Sequence, residues 1–104
     1  MAQFDVHQSP AKRRHEGIPY LLSIQSDYLD YLAVRVVVPL LRSDGRDVML
    51  QRLNPKFEVE GLSVIMLTQL IGGIPTRALG EAVANLADHR DEIIGAIDML
   101  VTGV

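Results

Sequence analysis

The stretch that decides the fold reads LADHRDEIIGAIDMLV and covers residues 86–101. Asp88 is the predicted N-cap of a helix, and the acidic Asp91 and Glu92 of its first turn suit the positive end of the helix dipole. Gly95 costs about 1 kcal/mol relative to alanine in a helix interior, which suggests that it packs closely against another backbone. Apolar side chains recur along one stripe of this helix, at Leu86, Ile93, Ile94, Ile97, Leu100 and Val101.

The first two-thirds of the chain predict strands rather than helices. Residues 4–8 alternate apolar with polar, as expected of a half-buried strand. Ile18–Ile24 and Val34–Leu41 are rich in Ile, Val, Leu and Tyr, which favours strands covered on one or both faces. Residues 57–67 show strand character on both sides of Gly61, which predicts a hairpin.

The segments between these strands carry turn and loop signals. Ser9–Gly17 is polar and basic and contains Pro10, so it is predicted to be a mobile loop. Gly72–Pro75 interrupts the strand pattern. Arg77–Ala87 has a helical composition, but Gly80 within it and the proline before it count against a helix, and its state stays open.

Length and composition favour one globular domain, residues 1–104. A chain of 104 residues buries roughly two-thirds of its unfolded surface, which suffices for one core. Hydrophobic residues make up 48% and charged residues 22%, a balance typical of globular chains. Short strands with regular turns, followed by a helix, predict an α+β fold with a small, mainly antiparallel sheet or partly closed barrel and one C-terminal α-helix.

Charge and residue usage exclude several classes of protein. Ten Lys and Arg against thirteen Asp and Glu give a formal charge of -3, which does not suit phosphate neutralisation, so no direct sequence-specific nucleic-acid binding is expected. Cysteine is absent, which excludes disulfides and thiolate zinc sites. The first residues lack a signal-peptide pattern, and the longest apolar run has six residues, so a cytoplasmic protein without a membrane span is expected.

Enzyme signatures are missing from the sequence, and no catalytic residue, metal or cofactor is predicted. Phosphate-binding loops and the H-E-x-x-H motif do not occur. The three histidines, His7, His15 and His89, are widely separated and are expected to be ordinary surface or loop residues. Asp27 and Asp30 could serve acid–base chemistry, but Asp27 is more typical of a turn in which its side chain bonds nearby backbone amides.

Two further features suggest contacts with partners. The cluster Lys12-Arg13-Arg14-His15 could attract an acidic partner or nucleic acid, although such a cluster is more often a solvated loop. Leu100-Val101-Thr102-Gly103-Val104 follows the amphipathic helix without a charged tail. An apolar end of this kind indicates a contact with a partner, and simple helix termination with Gly103 as the C-cap is the equally weighted alternative.

Seven short motifs span nearly the whole chain, whereas residues 42–62 match only loosely. In order and spacing they resemble the CcdB family of toxins from type II toxin–antitoxin modules. The motifs are Gln3-Phe4-x-Val6, Gln25-Ser26-Asp27-x-x-Asp30, Val36-Val37-Val38-Pro39-Leu40, Ile74-Pro75, Leu79-Gly80-Glu81-x-Val83-Ala84-x-Leu86, His89-Arg90-x-x-Ile93 and Ala96-Ile97-x-Met99.

The resemblance implies a fold, a mechanism and partners. It implies an SH3-like sheet or barrel with one C-terminal helix, as in CcdB and MazF proteins, and a homodimer whose chain ends project together. The implied mechanism involves no bond-making: the toxin binds the DNA gyrase A subunit, traps the gyrase–DNA cleavage complex and is neutralised by a CcdA-like antitoxin. Binding of this kind stabilises one state of the target because the toxin fits only that state.

The same resemblance assigns residues to these contacts. The antitoxin is expected to cover Asp98, Val101 and Thr102. The residues expected to contact gyrase are Tyr28, Leu29, Asp98, Val101, Thr102, Gly103 and Val104.

Thr102 departs from the family pattern, in which an aromatic residue precedes the final Gly-Ile. An aromatic anchor typically contributes ~2 kcal/mol or more to binding, so its loss predicts a gyrase affinity weaker by a factor of ~30. Tyr28 is expected to compensate in part. One alternative function is therefore an antitoxin-binding relative with weak or no gyrase poisoning. A second is a MazF-like endoribonuclease in which Arg13, Arg14 or Arg77 positions phosphate and a carboxylate acts as base.

Overall fold

The computed structural model describes residues 2–45 and 50–104, which form a curved antiparallel sheet and two α-helices. The α-helices are α1 (Ala11–His15) and α2 (Arg90–Thr102). The strands are β1 (Asp5–Gln8), β2 (Tyr20–Ser23), β3 (Val34–Arg42), β4 (Lys56–Val59), β5 (Leu62–Met66), β6 (Gly72–Pro75) and β7 (Ala82–Asn85). The strand order is β4-β5-β3-β2-β1-β7, and β6 also pairs with β3.

Strand β3 organises the sheet because it is long enough to pair with three other strands. Its middle part, Val37–Leu40, pairs with β2. On its other side, Leu40–Arg42 pairs with β5 and Val34–Val37 pairs with β6. Every pairing is antiparallel, which confirms the predicted mainly antiparallel half-barrel with a C-terminal helix.

The core lies between the sheet and α2. Alternate residues of the central strands point to it, so that Leu22 and Val38 are buried there against Ile93 and Ala96 of the helix. A smaller cluster on the opposite face contains Leu21 and Val37, the neighbours of those two strand residues. Both faces of β2 and β3 are thus covered, which is one of the two arrangements that their apolar runs predict.

The hairpin between β4 and β5 forms where the sequence predicts it. Val59 pairs with Leu62, and the two residues between them, Glu60 and Gly61, have positive φ angles of 52° and 79°. This geometry is that of a two-residue hairpin turn. The Tyr20 hydroxyl donates a hydrogen bond to Glu60 Oε1 at 2.7 Å, which ties the turn to β2.

Helix α2 confirms the predicted amphipathic helix but corrects two details. The residue before its first turn is His89 rather than Asp88, and no side chain caps the helix there. Asp91 and Glu92 do lie in the first turn. A Cβ atom at Gly95 would meet no atom of residues 2–45 or 50–104 within 4 Å, so the predicted close packing of this glycine against another backbone is wrong for the described part of the chain.

Two connecting segments differ from the sequence-based expectation. Ser9–Gly17 contains α1 rather than only a loop. Gly72–Pro75 is β6 rather than a break, because it pairs with β3. Arg77–Ala87, whose state the sequence leaves open, contains β7, which pairs with β1. A Cβ atom at Gly80 would lie 2.5 Å from the carbonyl oxygen of Gln8.

The first and last strands of the sheet are joined by side chains as well as by their backbones. Asn85 Nδ2 donates to Asp5 Oδ1 at 2.9 Å, and the Ala2 N–H donates to Asp5 Oδ2 at 2.8 Å. Partial burial alone raises the pKa of Asp5, but these hydrogen bonds and the nearby His7 outweigh it and leave the pKa below its usual value.

His7 corrects another expectation, because it is a buried residue of β1 rather than a surface histidine. Its Nδ1 atom lies 3.0 Å from the carbonyl oxygen of Gly80, next to β7. His15 and His89 are exposed, as predicted. In the described part of the chain, neither helix has the length and apolar character required to cross a bilayer.

Candidate functional site

The end of the chain is ordered by hydrogen bonds of its own. Gly103 adopts the left-handed conformation with φ 78°, and its N–H donates to the carbonyl oxygen of Met99 at 3.0 Å. The Thr102 hydroxyl donates to the carbonyl oxygen of Asp98 at 2.7 Å. Gly103 therefore acts as the C-cap of α2, as the simple termination hypothesis predicts, yet this cap leaves the side chains beyond it free.

The apolar stripe of α2 continues past the part of the helix that the sheet covers. Ile93 is fully buried, whereas Val101 is 75% exposed and Val104 is 71% exposed. The helix thus buries Ile93 and Ala96 of its apolar stripe and presents the apolar side chains at its end to solvent. Exposed apolar groups that are held in place and clustered mark a contact surface more often than isolated ones do.

A second exposed apolar segment follows β2. Tyr28 is 92% exposed and lies with Leu29 in a 3₁₀ turn formed by Asp27–Leu29. The Ser26 hydroxyl accepts a hydrogen bond from the Tyr28 N–H at 3.2 Å, which caps the turn. The turn is therefore preformed with its tyrosine pointing outward.

Gln25 fixes this turn to the sheet. Its Oε1 accepts from the Val36 N–H at 3.1 Å, and its Nε2 donates to the carbonyl oxygens of Leu29 at 2.9 Å and Val34 at 3.3 Å. The side chain is buried, so these three backbone groups have a partner that excludes water. The Gln-Ser-Asp motif thus shapes the exposed turn through hydrogen bonds within the chain.

A tandem repeat, Asp27-Tyr28-Leu29 and Asp30-Tyr31-Leu32, explains why the tyrosines of this segment point to solvent while its aspartates contact the rest of the chain. A period of three matches the three residues per turn of a 3₁₀ helix, so equivalent residues share a side. Both tyrosines point to solvent, with Tyr31 80% exposed. Asp27 Oδ1 accepts from the Gln3 N–H at 2.8 Å, and Asp30 pairs with Arg35. Sequence reasoning missed Tyr31, although the repeat was a signal for it.

Arg35 is the least expected residue of the site, because arginine is rarely fully buried. Its guanidinium has no exposed surface, and Nη1 lies 2.6 Å from Asp30 Oδ1. None of its nitrogens forms an aligned hydrogen bond with a described residue, so the contact is an ion pair only. Since Asp27 and Asp30 both hold the segment in place, the structure favours their structural interpretation over acid–base chemistry.

All seven residues predicted to contact a partner are exposed. Asp98, Val101, Thr102, Gly103 and Val104 lie at the end of α2, whereas Tyr28 and Leu29 lie in the turn after β2. Within residues 2–45 and 50–104, no hydrogen bond or ion pair joins the two segments. The described residues also contain no cluster of three His, Asp or Glu side chains arranged to hold a metal ion.

A family model described as CcdB protein matches residues 3–103, which is nearly the whole chain. The match includes the turn after β2, the Gln25 network, the seven strands described above and the end of α2 up to Gly103.

Proposed function

The chain belongs to the CcdB family, the toxins of toxin–antitoxin pairs, and from this premise we propose that it is a gyrase poison. In this proposal the protein binds the DNA gyrase A subunit, traps the gyrase–DNA cleavage complex and is neutralised by a CcdA-like antitoxin. It acts in the cytoplasm as a homodimer and by protein–protein binding alone, without a cofactor. The observation that carries the proposal is the near-full-length family match together with the outward apolar end of α2.

The geometry of the two exposed segments supports a binding mechanism. A preformed surface loses little conformational entropy when it binds, and both segments are held by hydrogen bonds to the rest of the chain or within their own turns. Val101, Gly103 and Val104 offer apolar surface at the chain end, and Tyr28 and Leu29 offer it on the turn. The toxin would stabilise the cleaved-DNA state of gyrase because that state alone accommodates this shape.

The proposed antitoxin contact uses part of the same surface. Asp98, Val101 and Thr102 are exposed on the last turns of α2, where a flexible antitoxin segment could fold on binding. Since these residues also belong to the proposed gyrase contact, the antitoxin and gyrase would compete for the toxin.

Thr102 supports a second candidate function, an antitoxin-binding relative that poisons gyrase weakly or not at all. Its side chain has no aromatic face, and its hydroxyl is engaged with the backbone of Asp98. Tyr28 would have to supply the aromatic contact from the other segment. The two candidates differ only in the strength of the gyrase contact, so one experiment separates them.

That experiment compares gyrase-mediated DNA cleavage and binding of a gyrase A fragment for the protein and matched variants. Val101→Asp should abolish the enhancement of DNA cleavage and the binding of the fragment if the chain end contacts gyrase. Leu50→Asp, which changes an exposed apolar residue elsewhere, should abolish neither. Thr102→Trp should bind the fragment about 30-fold more tightly if only the aromatic anchor is missing.

Each outcome supports or removes one candidate. Cleavage enhancement that Val101→Asp abolishes supports the gyrase poison. Binding of a CcdA-like peptide without any gyrase effect, in the protein and in Thr102→Trp, supports the antitoxin-binding relative. RNA cleavage that is lost in Arg13→Ala, Arg14→Ala or Arg77→Ala, and that survives deletion of residues 102–104, would instead support the ribonuclease.

A further inference from the structure

A groove of about 220 Å³ lies on the face of the sheet opposite α2 and takes no part in the proposed gyrase contact. Its floor consists of Leu21 of β2 with Val37 and Pro39 of β3, which are all buried in the sheet. The neighbouring Gly72 and Gly73 of β6 add no side chains, so the floor stays open. The volume is below the roughly 300–1,000 Å³ of small-molecule sites, so the groove fits one or two apolar side chains.

The lining of the groove is rigid. Pro10, Pro39 and Pro75 line it, and the ring of proline fixes the φ angle of each. Helix α1 is anchored beside it, because the Gly17 carbonyl oxygen accepts from the Arg42 N–H at 2.9 Å and the Ser9 N–H donates to the Pro19 carbonyl oxygen at 3.0 Å. A preformed groove binds a flexible ligand with a smaller entropic cost than a groove that must first be ordered.

Two segments bring basic residues to the neighbourhood of the groove. Arg13 of α1 lines it directly, whereas Lys12 and Arg14 are exposed on the same helix and do not line it. Arg77 is exposed in the 3₁₀ turn Thr76–Ala78, whose Ala78 also lines the groove. None of these four cations forms an ion pair with a residue that the structure describes.

We propose that this groove binds a linear peptide segment of a partner protein that carries one or two apolar side chains flanked by carboxylates. The apolar floor takes the apolar side chains, and the carboxylates complement Arg13 and Arg77. Nucleic acid fits less well, because no described lining residue offers an aromatic ring on which a base could stack. The site lies apart from the chain end, so this inference is independent of the proposed gyrase contact.

The test is a selection from a random twelve-residue peptide library on the full chain in solution. The enriched peptides should combine Asp or Glu with apolar residues. The best peptide, labelled with a fluorophore, is then titrated against the protein and against three variants. Ala78→Trp fills the groove and should weaken binding at least tenfold, and Arg13→Gln should weaken it roughly threefold to tenfold.

Arg14→Gln is the matched control, because it removes the same charge from the same helix at a residue that does not line the groove. Its affinity for the peptide should stay within about twofold of that of the parent. Raising the salt concentration should lower the affinity of the parent and of every variant. Thermal unfolding and amide chemical shifts confirm that each variant is folded, and the peptide should shift the amide signals of Leu21 and Val37 in the parent.

Several results would overturn the proposal. Enriched peptides without acidic residues would contradict the proposed charge preference. Binding that Ala78→Trp leaves unchanged would show that the peptide does not bind in the groove. Tighter binding of a DNA oligonucleotide than of the peptide would assign these basic residues to nucleic acid. A change of oligomeric mass in Ala78→Trp would show that a second copy of the chain covers the groove. None of these measurements uses gyrase, so their failure leaves the gyrase proposal unaffected.

Discussion

The guanidinium of Arg35 is completely buried against the partly exposed carboxylate of Asp30, with Nη1 and Oδ1 2.6 Å apart. A buried cation that loses its counter-ion keeps its desolvation cost and gains nothing in return. Asp30→Asn should therefore lower the free energy of unfolding by about 2–4 kcal/mol, measured by urea denaturation. Residues 27–32, which carry both exposed tyrosines, should lose order first, because Asp30 belongs to this segment.

The control for this prediction is the removal of both charges. Arg35→Met keeps an apolar side chain of similar length, and the double variant with Asp30→Asn leaves no unpaired buried cation. The double variant should be more stable than Asp30→Asn alone, since well-packed apolar residues often replace a buried ion pair without loss. Equal destabilisation of both variants would contradict the role given to the ion pair.

Gln25→Met should loosen the exposed turn while leaving the sheet folded. The substitution leaves the Val36 N–H and the carbonyl oxygens of Leu29 and Val34 without their buried partner, at a cost of about 1–3 kcal/mol. Hydrogen exchange should become faster at the Val36 amide and in the 3₁₀ turn. Gln3→Met, which removes only a bond to the Ile24 carbonyl oxygen, should leave the Val36 amide unchanged.

Local sequence patterns predict an element when residues close to it in the sequence are enough to determine its structure. The period of α2 and the turn residues Glu60 and Gly61 belong to this class. Strands β6 and β7 do not, because each exists through pairing with a strand distant in sequence. The burial of Arg35 was likewise unpredictable, since its counter-ion becomes a neighbour only when the turn after β2 folds back.

Some features of the candidate site are likewise predictable from the local sequence, and others are not. An apolar chain end after an amphipathic helix is visible in the sequence, and the structure adds that Val101 and Val104 remain exposed. The assignment of Tyr28 and Leu29 as contact residues came from family resemblance. The structural contribution of Gln25 could not be predicted, because its hydrogen bonds join residues on three different segments.

Two glycines should respond to alanine in opposite directions. Gly95→Ala should stabilise the protein by about 0.5–1 kcal/mol, because its Cβ would contact none of the described residues and alanine favours the helix. Gly80→Ala should cost about 1–3 kcal/mol, because its Cβ would collide with the backbone of Gln8. Thermal unfolding at several protein concentrations checks both values. A concentration-dependent loss in Gly95→Ala would show that this glycine packs against a second copy.

Tyr20 should make stability depend on pH in the alkaline range. Burial, the hydrogen bond to Glu60 and the charge of Glu60 raise the pKa of Tyr20 to about 12, against the opposing effect of Arg42. The folded state therefore keeps the phenol proton that the unfolded chain releases near pH 10. This contribution to stability is fully present below pH 10 and is lost between pH 10 and about 12, with a slope of up to about 1.4 kcal/mol per pH unit.

The measurement is the difference in free energy of unfolding between the protein and Tyr20→Phe as a function of pH. That difference should decline above pH 10, since phenylalanine has no proton to lose. Glu60→Gln should lower the pKa of Tyr20. The pH interval over which this free-energy difference declines should then become narrower. A difference that stays constant up to pH 12 would show that the hydroxyl titrates equally in both states.

The position of β1 between β2 and β7 has a consequence for biosynthesis. Residues 5–8 obtain their second hydrogen-bonded neighbour only from residues 82–85, and α2 covers the core last. A ribosome must therefore translate most of the message before the nascent polypeptide can close its sheet. A product of premature termination would have an incomplete hydrophobic core, which leaves it open to proteolysis. It would also lack the apolar end of α2, which is the proposed contact surface of the toxin.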